Sequence, residues 1–566
     1  MASVTATLAG LAIALAGFGT TGSSSAEAAG PASAGALGGN ATMIIAARRI
    51  TEPQYRNAIA DIFGSDIKVD GRFEPETRKD GLIAIGSAAA SISSSGFEQY
   101  FAIARQVADQ TLDPRRRDQT AGCKPARPDT ADPACTTAVV RRYGALLFRR
   151  PISDAQVAAR VKLAAEGAER SGDYYAGLRL ALVSLLTAPD FLFRIERAEV
   201  DPTHPDNLRL DAYSKASRLS YLFWDAGPDA GLMRAAASGA IHSDQGLSAE
   251  ITRLAASPRL ESGVRAFFTD MLQFERFESL TKDAATYPKF GLKVAEDARE
   301  QTLKTIVDQL ITRGGDYRDL YTSRQTFISR PLAAVYNVPY TTTDPWMAYG
   351  FSEESGQSGL LTQVTFMSLF SHPGRSSPTI RGVRLHEIFM CEPTPDPPPD
   401  VDFSKVRDNT AGTVRGRLTQ HMNNPGCASC HRISDPIGLA LEEFDGIGQR
   451  RFIENGQKID VSAEIDGVKF SGAQGLGRFL HDSPKLPSCL VRDLYAYGVG
   501  RAWDDDDEDY LTAELKHFAA SGYRMPALMS RLATTPQFFR VMVPAGQPMG
   551  NRPTVAGGAT PVNGGL

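Results

Sequence analysis

The chain has 566 residues, of which 42% are hydrophobic and 22% are charged. A chain of this length is expected to divide into roughly three to five packed units, and its composition excludes a disordered protein. The 61 Lys and Arg residues against 65 Asp and Glu residues give a net charge of -4. Because there is no basic excess, nucleic acid is not expected as a partner.

Residues 1–29 are expected to be a secretory signal peptide or leader. An apolar stretch from Leu8 to Ala16 is followed by Ala26-Glu27-Ala28, which has the small-x-small pattern that signal peptidases cut. This stretch and every later apolar run are shorter than the roughly 18 residues that cross a membrane, so no transmembrane segment is expected in the mature chain. We therefore expect a periplasmic or exported protein. A disordered leader rich in Ala, Ser and Gly is the alternative.

Residues 45–113 are predicted to form an N-terminal helical domain. In the run RRITEPQYRNAIADIFG the apolar residues recur at helical spacing, after a Thr51 cap and with Glu52 in the first turn. This pattern predicts that a helix begins directly after Thr51.

Residues 114–200 are predicted to form a loop with a disulfide and then a second helical domain. The loop contains Cys123 and Cys135 and is polar, charged and Pro-rich, as expected of an exposed connection. The runs VVRRYGALLFRRPISDAQV and DYYAGLRLALVSLLTAPDFLFRIE predict two amphipathic helices separated by a turn. In that turn, Ser153 or Asp154 is expected to cap the following helix.

Helices also dominate the predictions for the rest of the chain. LDAYSKASRLSYLFWDA and VRAFFTDMLQFERF belong to a central helical domain over 205–345. A domain around a Cys-x-x-Cys-His sequence covers 355–455, a C-terminal helical domain covers 456–543, and a Gly- and Pro-rich tail over 544–566 is expected to be disordered. Alternation and turn residues predict one or two short β-strands near 450–470. The predicted fold class is therefore mostly α, in a multi-domain helical protein.

The pentapeptide from Cys427 to His431 is the strongest chemical signal in the sequence. Cys-x-x-Cys-His is typical of covalent c-type haem attachment, in which two thiols add across the two vinyl groups of the haem. Cys427 and Cys430 are therefore predicted to tether one haem c, and His431 is predicted to bind the iron from one face as the proximal ligand. We accordingly interpret residues 355–455 as a c-type haem domain.

A zinc site and a redox-active cysteine pair are the alternatives for this pentapeptide. A tetrahedral zinc site needs two more ligands at short spacing, and the nearby candidates are His431 and His421. A thioredoxin-like pair needs a strand before it and a helix after it, whereas a Pro-Gly turn precedes Cys427. Haem attachment is therefore the preferred interpretation.

The second axial ligand of the iron is less clearly marked. His372 is the first candidate, because its loop, SHPGRSSP, is polar, interrupted by glycine and flanked by predicted helices ahead of the haem segment. A single loop histidine is, however, more often hydrogen-bonded or solvated than ligating. Four methionines are alternatives, although methionine at helical spacing usually fills a core: Met367, Met390, Met525 and Met529. Met422 and His421 are close in sequence but lie on the attachment side of the ring.

The order of these motifs resembles a group of large exported proteins, abundant in planctomycetes, myxobacteria and some proteobacteria. These proteins are built from consecutive domains of unknown function (the 1587/1595/1592/1588/1585 series) around one c-type haem motif. The matching pieces include FRRPISDAQV, LTAPDFLFRIE, HPGRSSPTIRGVRL, NPGCASCHRISDPIGLALEEFDGIGQRR and CLVRDLYAYGVGRAW. The resemblance implies an exported, mostly helical haem protein, and it supplies no substrate.

The resemblance carries over to individual residues. Cys427, Cys430 and His431 match the haem motif of the family, and His372 matches some of its members. Four residues match the loop pattern before the haem segment: Arg375, Pro378, Arg381 and Gly382.

The other four cysteines are paired on similar grounds. Cys123 and Cys135 would close a loop of about a dozen residues, and such a bridge contributes on the order of 3 kcal/mol. Cys391 ends a helix before the proline run PTPDPPPDV, and Cys489 opens a helix in the terminal domain, so a bridge between them would join that domain to the haem domain. Four buried free thiols are the alternative, which an oxidising compartment disfavours.

The sequence thus predicts a periplasmic mono-haem c-type protein, similar to cytochromes c in its haem attachment, that acts in electron transfer or as a haem-dependent oxidoreductase. Its partner would be a redox protein or a small-molecule substrate, and whether it is an enzyme stays open. The alternative is an exported binding or assembly protein whose haem is structural or sensory. A third possibility is an open distal site that serves oxygen or peroxide chemistry.

Overall fold

The computed structural model describes residues 42–394, 412–421 and 425–542, and for residues 420, 421, 425–427, 429 and 430 it describes the backbone alone. The predicted leader, most of the proline run, Met422 and the predicted tail therefore lie outside the described residues. Within them, no helix is long and apolar enough to cross a membrane.

Helices dominate the described chain, as predicted. The elements up to residue 210 are β1 Met43–Arg49, α1 Glu52–Phe63, α2 Ile83–Gly86, α3 Ser94–Thr111, α4 Arg117–Ala121, α5 Pro133–Phe148, α6 Asp154–Ser171, α7 Tyr174–Leu186, α8 Pro189–Leu192, β2 Phe193–Asp201 and β3 His204–Leu210. The central elements are α9 Ala212–Trp224, α10 Ala230–Ala237, α11 Asp244–Ala255, α12 Leu260–Met271, α13 Leu292–Val307, β4 Gln325–Ile328, α14 Arg330–Tyr336 and β5 Met347–Gly350. The remaining elements are α15 Val364–Leu369, α16 Pro378–Met390, α17 Val414–His421, α18 Pro425–Ala440, β6 Ile453–Glu454, β7 Gln457–Lys458, β8 Ser462–Ile465, β9 Val468–Ser471, α19 Gly472–Asp482, α20 Lys485–Val499, α21 Glu508–Ala520 and α22 Met525–Thr534.

The predicted starts of α1 and α6 are confirmed by reciprocal capping hydrogen bonds. The Thr51 hydroxyl accepts from the backbone N–H of Gln54 at 3.4 Å, and the Gln54 side-chain oxygen accepts from the backbone N–H of Thr51 at 3.3 Å. Ser153 and Gln156 form the same pair at α6, so Ser153, rather than Asp154, is the cap. Each pair satisfies two backbone donors that the first turn of a helix otherwise leaves free.

A three-stranded antiparallel sheet, in the order β1-β2-β3, was not predicted from the sequence. The prediction that DFLFRIE ends a helix is wrong, because α7 ends at Leu186 and the chain is a strand from Phe193. Pro189 disfavours helical geometry at the preceding residue, and Ala188 is extended. The alternating RIERAEV that follows suits a strand with one buried face, on which Glu196 and Ala198 lie.

Glu196 is the centre of a buried ion network on this sheet. Its carboxylate accepts from Arg48 Nη2 of β1 at 2.7 Å and from Arg218 Nη2 of α9 at 2.5 Å, and all three residues are buried. Arg48 also donates to the Gly498 carbonyl, and Arg218 to that of Phe538. Burial disfavours the charged carboxylate, but the two guanidinium groups outweigh burial and lower the pKa of Glu196 to about 2.

Acid is expected to remove the stabilisation that Glu196 provides. Its folded pKa of about 2 lies below its ordinary value of 4.5, so the stabilisation is complete above about pH 4.5 and is lost as the pH falls through 2. The shift corresponds to about 3 kcal/mol. Glu196→Gln is therefore expected to lose less free energy of unfolding than the wild type between about pH 5 and pH 2, in urea denaturation at each pH. Parallel pH profiles for the two proteins would contradict this.

One large hydrophobic cluster joins the central and C-terminal elements. Its buried members extend along the chain from Ile45 to Phe539, whereas residues between Ile50 and Leu192 form a second cluster and a third surrounds Tyr287. The large cluster therefore extends over several of the predicted segments. Shared burial fixes the helices of the 355–455 segment against those of its neighbours.

The strands near 450–470 form two hairpins, β6–β7 and β8–β9, rather than one or two strands. A further hairpin, β4–β5, lies in the central region and was not predicted. All of these strands are two to four residues long, so each offers too little alternating sequence to be recognised by its pattern alone.

Candidate haem-attachment site

Helix α18, which runs from Pro425 to Ala440, carries the Cys-x-x-Cys-His sequence in its first two turns. A spacing of three residues places Cys427 and Cys430 on one face of a helix, with His431 next along it. The structure thus puts the predicted tether and ligand on one rigid element, although the two cysteine side chains lie outside the described part.

His431 is oriented by a carboxylate one helical turn further on. Its Nδ1 lies 2.8 Å from Oδ2 of Asp435, and both side chains are largely buried. The hydrogen bond to Asp435 raises the pKa of His431. A metal-bound histidine usually donates its second ring N–H to a carboxylate or carbonyl, which fixes the ring and makes the ligand more basic. Asp435 is such a partner, so the residues present fit an iron bound through Nε2.

Asp435 is itself held from a neighbouring helix. It is buried, and its Oδ1 accepts from the Thr379 hydroxyl of α16 at 2.9 Å and from Ser434 at 3.4 Å. Sequence reasoning did not find Asp435, but the four-residue spacing in HRISD was a usable signal because residues i and i+4 share a helix face.

Two glycines let α16 and α18 approach each other closely. A Cβ at Gly382 would lie 1.8 Å from the Ser434 carbonyl oxygen, and a Cβ at Gly438 would lie 1.8 Å from that of Pro378. The two contacts show that the helices run antiparallel, and they bring Thr379 within reach of Asp435. The glycines therefore position the partner of the histidine.

Gly438→Ala is expected to lower the free energy of unfolding by about 1 to 3 kcal/mol, because its Cβ overlaps a backbone carbonyl that cannot rotate away. Gly291→Ala is a matched control for the loss of glycine, since a Cβ there meets nothing within 4 Å and its φ of -151° is open to any residue. Urea denaturation of both variants checks the expectation. Equal losses at the two positions would show that the contact between the helices is unimportant.

Arg381 of α16 binds the chain that follows α18. It is 1% exposed, and its Nη1 donates to the Phe444 carbonyl at 2.8 Å while its Nη2 donates to that of Asp445 at 2.5 Å. Nη1 also lies 3.4 Å from Glu442, a buried carboxylate that Arg451 contacts at 2.6 Å. These contacts hold residues 444–450 against α16.

His372 lies in the loop between α15 and α16 and is half-buried. Its backbone forms a bridge with Arg375, and its carbonyl accepts from Lys282 Nζ at 3.2 Å. Burial, which disfavours the charged ring, lowers the pKa of His372, and burial likewise lowers the pKa of Lys282 to about 7. Among the described residues, no side chain hydrogen-bonds the imidazole. Its assignment as a distal ligand stays a prediction.

The four methionines weighed as distal ligands all pack in the large hydrophobic cluster. Each is at most 4% exposed: Met367, Met390, Met525 and Met529. Their burial agrees with a core-filling role. The side chains of His421 and Met422 lie outside the described part.

Both predicted disulfides are present. Cys123 is bonded to Cys135 and Cys391 to Cys489, across 12 and 98 residues respectively. The second bridge joins the C-terminal end of α16 to α20, so α16 is fixed at one end by this bond and along its length by α18.

These features define a multi-domain helical protein with a histidine–carboxylate pair on its Cys-x-x-Cys-His helix. Five family models, each described as a protein of unknown function, match the chain in succession: DUF1587 over residues 48–113, DUF1595 over 135–196, DUF1592 over 210–338, DUF1588 over 357–454 and DUF1585 over 466–538. The predicted series of five domains is confirmed, and the chain belongs to the proteins built from this series. No curated protein and no solved structure matches it.

Proposed function

We propose that the chain is an exported mono-haem c-type protein that acts in electron transfer or as a haem-dependent oxidoreductase. The observation that carries this proposal is the hydrogen bond from His431 to the buried Asp435, on the helix that bears Cys427 and Cys430. Such a carboxylate partner is typical of metal-ligating histidines.

Each residue of the site has a defined part. Cys427 and Cys430 would hold the haem covalently, His431 would take one axial position of the iron, and Asp435 would keep the imidazole oriented with its proton on Nδ1. When bound, the haem supplies reversible one-electron chemistry. Gly382 and Gly438 keep α16 close enough for Thr379 to hold Asp435.

Export is supported by the two disulfides, because such bonds persist in oxidising compartments outside the cytoplasm. Covalent haem attachment of this type also takes place there. The leader and the disulfides are independent indications of one compartment.

The test is to express the full chain with its leader in a host with c-type haem maturation machinery. We expect a covalent mass increase of one haem, a reduced pyridine adduct with a c-type band, and loss of both in the double variant Cys427→Ala/Cys430→Ala. Ser429→Ala, inside the same pentapeptide, is the matched control and is expected to keep the haem. If the wild-type protein carries no covalent haem after expression with this machinery, the proposal is overturned.

Redox and spin-state measurements then separate the possible uses of the haem. A reversible potential with electron exchange to a soluble redox protein supports electron transfer. A high-spin ferric spectrum that changes on addition of cyanide or peroxide indicates an open distal site. If the haem neither exchanges electrons nor binds ligands, it is structural, and this result would overturn the redox role.

A further inference from the structure

The Cys391–Cys489 disulfide has a carboxyl group directly against its two sulfurs. Oδ1 of Asp493 lies 3.6 Å from Cys391 Sγ, and its Oδ2 lies 4.0 Å from Cys489 Sγ. Cys489 and Asp493 are four residues apart on α20, so both face the end of α16. In the described part of the chain, this is the one place where three Cys, His, Asp or Glu ligand atoms lie within 4.8 Å of one another.

Asp493 lacks the partners that usually accompany a carboxyl group inside a protein. Among the described residues, no N–H or O–H group donates to it and no Lys, Arg or His forms an ion pair with it. Charged and titratable groups surround it at longer range: Asp270, Arg78, Tyr317 and Tyr321. Arg78 is already paired with Asp270 and Glu275, and the two tyrosine hydroxyls bond each other at 2.7 Å.

The surroundings of the carboxyl group favour its protonated form at neutral pH. Burial is the main cause, and with the Asp270 carboxylate nearby it raises the pKa of Asp493 to about 8. A neutral carboxyl against a disulfide holds a proton where a departing thiolate needs one.

The second disulfide of the chain provides an internal comparison. Cys123 Sγ lies 3.6 Å from the backbone carbonyl oxygens of Ala121 and Cys135, and neither can supply a proton. The two bridges thus differ in chemistry although they share one chain. Cys489 is 1% exposed and Cys391 is half-buried, so Cys391 is the more exposed cysteine of this bridge.

We propose that Cys391, Cys489 and Asp493 form a redox-active disulfide site, in which a dithiol on a small molecule or a partner protein is the reductant and Asp493 is the proton donor. The site is independent of the haem.

The reaction balances as follows. A thiolate of the dithiol attacks Cys391 Sγ, a sulfur–sulfur bond forms between them, and the Cys391–Cys489 bond breaks. Cys489 leaves with the electron pair and takes the proton of Asp493. The second thiol of the dithiol then attacks the mixed disulfide, and Cys391 leaves with the electron pair and takes the proton of that thiol. The proton that the first thiol released to solvent on ionisation returns to Asp493. One dithiol is oxidised to a disulfide and the protein gains two thiols.

The test is the rate at which dithiothreitol reduces each bridge in the folded full-length chain. Aliquots are alkylated and both cysteine pairs are quantified by peptide mass spectrometry between about pH 6 and pH 10, with rates divided by the dithiothreitol thiolate concentration. For Cys391–Cys489 we expect a rate that is constant below about pH 8 and falls about tenfold per pH unit above it, as a general acid requires. The Cys123–Cys135 rate is expected to show no such break.

Asp493→Asn keeps the shape of the side chain and removes the acidic proton. We expect it to slow reduction of Cys391–Cys489 by about 100-fold at pH 7, to abolish the break near pH 8, and to leave Cys123–Cys135 unchanged. Asp482→Asn, at an exposed carboxylate of α19, is the matched control. If Asp493→Asn does not fold, the wild-type profiles of the two bridges still decide the question.

Reduction of Cys391–Cys489 only on unfolding, or identical pH profiles for the two bridges, would overturn the proposal. An Asp493→Asn variant with wild-type rates would do the same. None of these outcomes bears on haem attachment, which is measured separately by mass and by the pyridine adduct.

Discussion

With haem attached as proposed, Asp435→Asn is expected to raise the reduction potential of that haem by about 60 to 120 mV. The Asp435 carboxylate accepts the Nδ1 proton of His431 at 2.8 Å and makes the imidazole a more basic ligand, which favours ferric over ferrous iron. Loss of such a partner typically changes metal binding by 10- to 100-fold, and tenfold corresponds to 59 mV for one electron. Because asparagine carries no negative charge, the ferric form loses this preference and the potential rises.

Spectroelectrochemical titration of the wild type and the variant measures this shift. Thr379→Val is a graded control, since it removes one hydrogen bond to Asp435 and leaves the carboxylate in place, so a smaller rise is expected. The covalent haem content, measured on the same samples, is expected to be equal in all three proteins. A potential that is unchanged in Asp435→Asn would show that the carboxylate does not act on the iron ligand.

The predictable parts of this protein are those encoded over a few neighbouring residues. Thr51 with Gln54, and Ser153 with Gln156, are local patterns, and both helices begin where the sequence indicates. The Cys427 to His431 spacing is equally local. The His431–Asp435 pair belongs to the same class, because it needs only the helical period, and it was accessible once the helix was placed through Asp435.

The unpredicted parts depend on residues that are far apart in the chain. In the sequence, Glu196 is an ordinary charged residue. Only the folded chain brings Arg48 and Arg218 into ion pairs with it. Asp493 lies one helical turn after Cys489, but the contact of its carboxyl with Cys391, 102 residues away, depends on how α16 packs against α20. Pattern reasoning assigns such residues to the surface, because it cannot know which distant groups remove them from water.

The same reasoning explains the missed sheet. Strand β1 and strand β2 are separated by about 150 residues of mostly helical chain. A strand is stabilised by its pairing partner, so an isolated alternating run carries little information about whether a partner exists. The helical period of α7 continues the predicted helix beyond Leu186, where α7 ends.

Arg381→Met is expected to lower the free energy of unfolding by about 3 to 5 kcal/mol. Arg381 is 1% exposed, and its removal leaves the Phe444 carbonyl without its donor, the Asp445 carbonyl with the Gly448 N–H alone at 3.4 Å, and Glu442 without one of its two guanidinium partners. Loss of donors to buried oxygens, together with weaker pairing of the buried Glu442 carboxylate, is more costly than the methionine packing regains. Urea denaturation monitored by far-ultraviolet circular dichroism measures the loss.

Arg384→Met is the matched control for Arg381→Met, because it lies on the same helix α16 and removes only a half-exposed pair with Glu387, worth about 0 to 1 kcal/mol. Adding Glu442→Gln to Arg381→Met tests the cause. If the weaker pairing of the Glu442 carboxylate dominates the loss, the double variant is more stable than Arg381→Met alone. If the lost hydrogen bonds to the carbonyls dominate, Glu442→Gln lowers the free energy of unfolding further. Equal stability of Arg381→Met and Arg384→Met would show that α16 does not need the buried guanidinium to hold the chain after α18.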